Sequence, residues 1–70
     1  MNTSYYVVQV LFEDRWVDIV RFSYDKDEMQ DEALQLANAV EAYNLARKRA
    51  PNYAHRIIQV NVVRFNNGKD

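Results

Sequence analysis

Residues 5–22 read YYVVQVLFEDRWVDIVRF, and outside the central EDR the apolar side chains fall on odd and even positions alike. A strand with one wet face alternates apolar and polar residues. This stretch is apolar on both sides, so its second face needs a cover of its own. Residues 4–12, rich in Val and Tyr, predict a first strand, residues 13–15 a turn, and residues 15–23 a second strand. The period then changes. DKDEMQDEALQLANAVEAYNLARKRAPN predicts a helix over about 26–50, with Met29, Ala33, Leu36, Ala37, Val40 and Tyr43 as its apolar stripe. Leu34 and Leu45 fall outside that stripe. Asp25 is the expected N-cap, with Glu28 as its capping-box partner. Acidic residues in the first turns and Arg47, Lys48 and Arg49 in the last suit the helix dipole. Pro51 stops the helix. HRIIQVNVVRF, residues 55–65, predicts a third strand, and NNGKD a frayed tail.

The order strand, strand, helix, strand, with a right-handed crossover, sets the third strand parallel to the second. Placed beside the first strand instead, it completes an antiparallel sheet of order 2-1-3 with one long helix on one face. This is a two-layer α+β domain spanning residues 1–70, a ββαβ layout. A tight turn at Glu13-Asp14 pairs Phe12 with Arg15 and Gln9 with Asp18. Tyr6, Val8 and Val10 then share a face with Val17 and Ile19, joined by Ile58, Val60 and Val62, and this face is expected under the helix. The opposite face carries Tyr5, Val7, Gln9, Leu11, Trp16, Asp18, Val20 and Phe22, with Ile57, Gln59, Asn61, Val63 and Phe65 from the third strand. A large exposed apolar patch of this kind marks an interaction site. Tyr5, Leu11, Trp16, Val20, Phe22 and Phe65 are its expected contact residues. The third strand, without Pro and charged only near its ends, is an edge open to pairing with a second copy.

Composition narrows the options. Seventy residues form one small domain that buries about 60% of its unfolded surface, so it is marginal alone. There is no cysteine for a disulfide or thiolate metal site, and one His55 builds no imidazole cluster. Oligomerisation is the remaining support. Nine basic against ten acidic residues give a net charge of −1, which is not the footprint of a duplex DNA binder. No apolar run reaches the roughly 20 residues of a membrane span, and MNTSYY is not a signal peptide, so the expected compartment is the cytoplasm.

No catalytic constellation emerges. Ser4 and Ser23 lack a base partner, His55 stands alone beside Arg56, and the single Gly68 makes no phosphate loop. DKDEMQDE lacks the alternating ligands and internal Gly of a calcium loop. Its carboxylates suit a solvated helix start, with mimicry of a nucleic-acid backbone by Asp25, Asp27, Glu28, Asp31 and Glu32 as an alternative. Single-stranded nucleic acid stacked on the sheet aromatics is another. It needs Arg47–Arg49, Arg56 or Arg64 on the aromatic face.

YYVVQV, RWVDIVRF, an acidic helix start with EAL, a Pro after the helix and HRIIQV together resemble a recurrent type of very small phage and prophage protein with strand-strand-helix-strand layout. The resemblance covers residues 5–65 and rests on packing signatures. The Gly expected in the hairpin is replaced by Glu13-Asp14-Arg15. The resemblance implies an accessory protein that binds something, such as a host protein, and carries over no catalytic residue. The expected function is therefore non-enzymatic: a protein-binding accessory, acting as a homodimer or on a host partner by occupying its surface, with no cofactor or metal.

Overall fold

The computed structural model describes residues 3–62. In chain order these form β1 (Thr3–Phe12), β2 (Arg15–Asp25), α1 (Met29–Arg49) and β3 (His55–Asn61). The sheet has the order β2-β1-β3, with both pairings antiparallel, and α1 packs on one of its faces. The expected α+β layout is the one observed. The part of the expected third strand beyond Val62, Phe65 included, lies outside the described residues.

The hairpin closes through Glu13 and Asp14, both at positive φ, 51° and 67°. A two-residue loop of this kind matches strand twist only with two left-handed residues, which is why Gly usually occupies it. Here two side chains accept the steric cost. Phe12 pairs with Arg15 and Gln9 with Asp18, as the tight turn requires. Then the register slips. Val8 pairs with Val20, leaving Ile19 as an extra residue in β2. Before the bulge Trp16 and Asp18 point away from α1. After it Val20, Phe22 and Tyr24 point toward α1 and join its core. Val20 and Phe22 therefore do not belong to the open face, contrary to the reading from alternation alone. An unsignalled insertion exchanges the faces of everything beyond it.

β3 is also displaced by one position from expectation. Val8 faces Ile57, Tyr6 faces Gln59 and Ser4 faces Asn61, so Ile57, Gln59 and Asn61 lie on the helix face. Ile58 and Val60 lie on the open face, and so does Arg56, opposite Gln9.

The core is built large on the sheet and small on the helix. Tyr6, Val8 and Tyr24 pack with Ala39, and Val20, Phe22, Ala42, Tyr43 and Ile57 close around them. The rings of Tyr6 and Tyr24 stack at 5.1 Å between centroids. These aromatics fill the gap, so α1 turns its alanines inward. Ala39 is fully buried, with Ala42 and Ala46 in line with it. The expected stripe is the wrong one except at Tyr43: Met29, Leu36 and Val40 are exposed. The size of the opposing side chains, not hydrophobic count, chose the helix face.

The helix start differs as well. Glu28, not Asp25, is the N-cap, in extended geometry and without a side-chain bond. The Asp25 carboxylate instead accepts the Asp27 amide at 3.0 Å, and the Asp31 carboxylate accepts the Asp25 amide at 3.1 Å. Asp31 thus ties the first helical turn to the end of β2. At the next residue, Tyr6 donates its hydroxyl to Glu32 at 3.1 Å, and on the sheet below Gln59 donates to Tyr24. At the other end the Ala50 amide bonds to Ala46 before Pro51 ends the helix.

Two outcomes are expected. Ala39→Leu should overpack the contact with Tyr6 and Tyr24 and lower stability by about 1–3 kcal/mol, read from urea midpoints. The Tyr6 phenol is held above its ordinary 10.0, first by burial, then by its bond to Glu32 and by Tyr24. Above about pH 10 the unfolded chain releases this proton while the folded chain keeps it. Stability is therefore fully present below that pH and should fall as pH rises past it. The decline in urea midpoint from about pH 9 to about pH 11 should be shallower in Tyr6→Phe than in the wild type.

Candidate interaction surface

The face of the sheet away from α1 is closed by its own side chains. Val7, at its centre, is only 1% exposed although no helix lies over it. Its cross-strand neighbours are Arg21 and Ile58, and Tyr5 and Gln9 flank it along β1. The cover on this side is therefore a single layer of long, partly polar side chains laid along the sheet.

These side chains form one connected belt. Arg56 places its guanidinium 4.1 Å from the centroid of the Trp16 ring. Its Nε donates to Gln9 Oε1 at 2.7 Å, and Gln9 Nε2 donates to Asp18 Oδ1 at 2.7 Å. Asp18 meets Arg21 at 3.9 Å, and Arg21 lies 4.3 Å from the centroid of the Tyr5 ring. The belt runs Trp16, Arg56, Gln9, Asp18, Arg21, Tyr5 across all three strands. Gln9 is nearly buried, and its amide both donates and accepts, so each of its polar atoms has a partner. The Arg21–Asp18 pair is half exposed and contributes little energy. It lies beside the contact of Arg21 with the Tyr5 ring.

Of the residues expected to make contacts, Tyr5, Leu11 and Trp16 lie on this face. Val20 and Phe22 lie on the other, and Phe65 lies outside the described residues. Sequence reasoning missed Arg21 and Arg56, which complete the belt. The alternation that puts Ile58, Val60 and Val62 under the helix carries Arg56 there too, and the one-position displacement of β3 returns it to the open face. The signal for both was the spacing of Asp18 and Arg21, and of Gln9 opposite the β3 arginine, once the register is known.

The other candidates settle into local roles. Ser4 is buried and donates to Asn61 at 3.0 Å, while Ser23 is exposed on the open face. His55 starts β3 with its ring edge-on to Tyr43, and its buried Nδ1 has no partner among the described residues. Arg47 sits over the Tyr43 ring at 5.5 Å. The Asp25, Asp31 and Glu32 carboxylates accept hydrogen bonds within the chain. Among the described residues no three His, Asp or Glu side chains are grouped to hold a metal ion, and no helix is long and apolar enough to cross a membrane.

Comparison of the chain with protein-family models, with curated proteins and with solved structures returned no match.

The stacked pair is measurable. A double-mutant cycle of Arg56→Met and Trp16→Leu should give a coupling of about 0.5–1 kcal/mol, the range for exposed cation–π contacts. Trp16 is the only tryptophan, so Arg56→Met should also change its emission directly.

Proposed function

We propose that this chain is a non-enzymatic protein-binding module that occupies a partner's surface with the open face of its sheet. The observation that carries the reading is the belt. Trp16 and Tyr5 are each held in place by an arginine, and both arginines are anchored through Gln9 and Asp18. Trp, Tyr and Arg are the residues most enriched at energetic centres of interfaces. Held in fixed positions on paired strands, they lose little freedom on binding. Leu11 extends the same face with an apolar side chain. An accessory role of the phage type is compatible with so small a module.

A second reading is favoured by one observation: Arg21 and Arg56 share the face with the aromatics, an arrangement that single-stranded nucleic acid also exploits. Against it, Asp18 sits among them and each arginine already covers a ring face.

The test is affinity capture from lysate, with titration of purified components. Trp16→Ala should weaken capture of a stoichiometric protein partner by about 2 kcal/mol or more. Leu34→Ala, on the solvent side of α1, should leave it unchanged. Equal capture by wild type and Trp16→Ala would sink the assignment of this face. Quenching of Trp16 emission by oligonucleotides, weaker at higher salt, would replace the protein partner with nucleic acid.

A further inference from the structure

We propose that β3 pairs with β3 of a second copy about a two-fold axis at Ile58, giving a six-stranded sheet. This surface is separate from the belt on the open face. The two edges of the sheet are treated differently. β2 carries charge along its length at Arg15, Asp18, Arg21 and Asp25 and is broken by the bulge at Ile19. Charges and bulges are the means by which edges resist pairing. β3 has neither bulge nor proline, and Arg56 is its one charge apart from the terminal His55.

The register identifies which backbone groups are free. The Leu11 amide bonds to the Ala54 carbonyl and the Val62 amide to the Thr3 carbonyl. Alternation along the ladder then turns Arg56, Ile58 and Val60 toward β1. His55, Ile57, Gln59 and Asn61 turn their amides and carbonyls outward. An antiparallel pairing centred on Ile58 matches His55 with Asn61 and Ile57 with Gln59 of the second copy. All seven residues of the strand are then used, and every outward group has a partner.

The helix supports the same occupant. Asn38, Glu41 and Leu45 lie on its flank over Phe22 of β2, while Tyr43 reaches His55 of β3. Leu36 and Val40 share the flank of Tyr43, on the β3 side, and are 40% and 42% exposed. The second copy brings its own sheet and its own Leu36 and Val40 toward this flank. The two helices run antiparallel, so the acidic start of each faces the basic end of the other, Asp31 and Glu32 toward Arg47, Lys48 and Arg49.

Three variants test the pairing. Directly opposed residues at a non-hydrogen-bonded position have Cα atoms about 4.5 Å apart, within disulfide reach. The chain has no cysteine, so Ile58→Cys should form one covalent dimer under mild oxidation with diamide. Gln59→Pro removes an amide that β1 does not use, together with the side-chain bond to Tyr24, and should yield a less stable monomer that keeps the circular-dichroism spectrum of the fold. Leu36→Glu combined with Val40→Glu changes only exposed positions and should raise the dimer dissociation constant at least tenfold. The wild type should sediment as a concentration-dependent dimer, and Trp16→Ala should do the same. A wild type that remains monomeric at about 100 µM, above the range of specific dimers, would overturn the proposal. So would a dimer that Ile58→Cys does not cross-link, or one that the helix double variant leaves intact. Loss of dimer in Trp16→Ala alone would place the contact on the open face instead.

Discussion

The architecture depends on one extra residue. Ile19 enters β2 without a counterpart in β1, and the side-chain alternation of the strand reverses around it. Residues before the bulge put Trp16 and Asp18 on the open face. Residues after it put Val20, Phe22 and Tyr24 against α1. Without the insertion, Phe22 would lie in solvent and Arg21 would lie under the helix. With it, one eleven-residue strand supplies the core with its second half and the exposed belt with its first. The bulge also breaks the outer edge of β2, so the same residue that sorts the faces protects that edge.

The packing that follows is unequal. The sheet contributes Tyr6, Phe22 and Tyr24, and the helix answers with alanines. Small residues let the helix sit close to the rings, and the Tyr6–Glu32 bond ties its first turn to β1. The longer aliphatic residues are displaced to the flanks: Leu36 and Val40 toward β3, Leu45 toward β2. A domain of this size buries a limited core in any case. Here it also leaves apolar surface beside an unprotected strand edge, and both deficits lie at β3. Association there would relieve the two together.

The fold was legible because it follows from period and punctuation. Alternating Val and Tyr, the polar EDR, the acidic and basic ends of the helix and Pro51 each act locally, and together they permit few topologies. The hairpin register was legible up to Gln9–Asp18 for the same reason, since a two-residue turn fixes it. What lay beyond was not. A bulge has no residue signature at Ile19, and the β3 register is set by contacts across forty residues of chain. The helix stripe misled because Leu36 and Val40 are the more apolar choice, while the site required small side chains against Tyr6 and Tyr24. Of the open face, the placement of Tyr5, Leu11 and Trp16 was legible. Arg21 and Arg56 were not, because their place depends on the register of two strands.

The two proposed surfaces bear on each other through geometry. In the pair centred on Ile58, the open faces of both copies lie on the same side of the joined sheet, because the antiparallel register matches even positions with even. Arg56 stands opposite Val60 of the second copy, so each belt reaches the joint through Arg56, while Trp16 and Arg21, both on β2, lie toward the rim. The two Trp16 anchors would then face a partner across the width of the joined sheet, five strand spacings of about 4.8 Å each. A partner with a two-fold site, or two copies of one epitope, would engage both at once, the second at high effective concentration. A weak contact at each Trp16 would then suffice for tight binding overall, which fits a chain too small to build one large interface by itself.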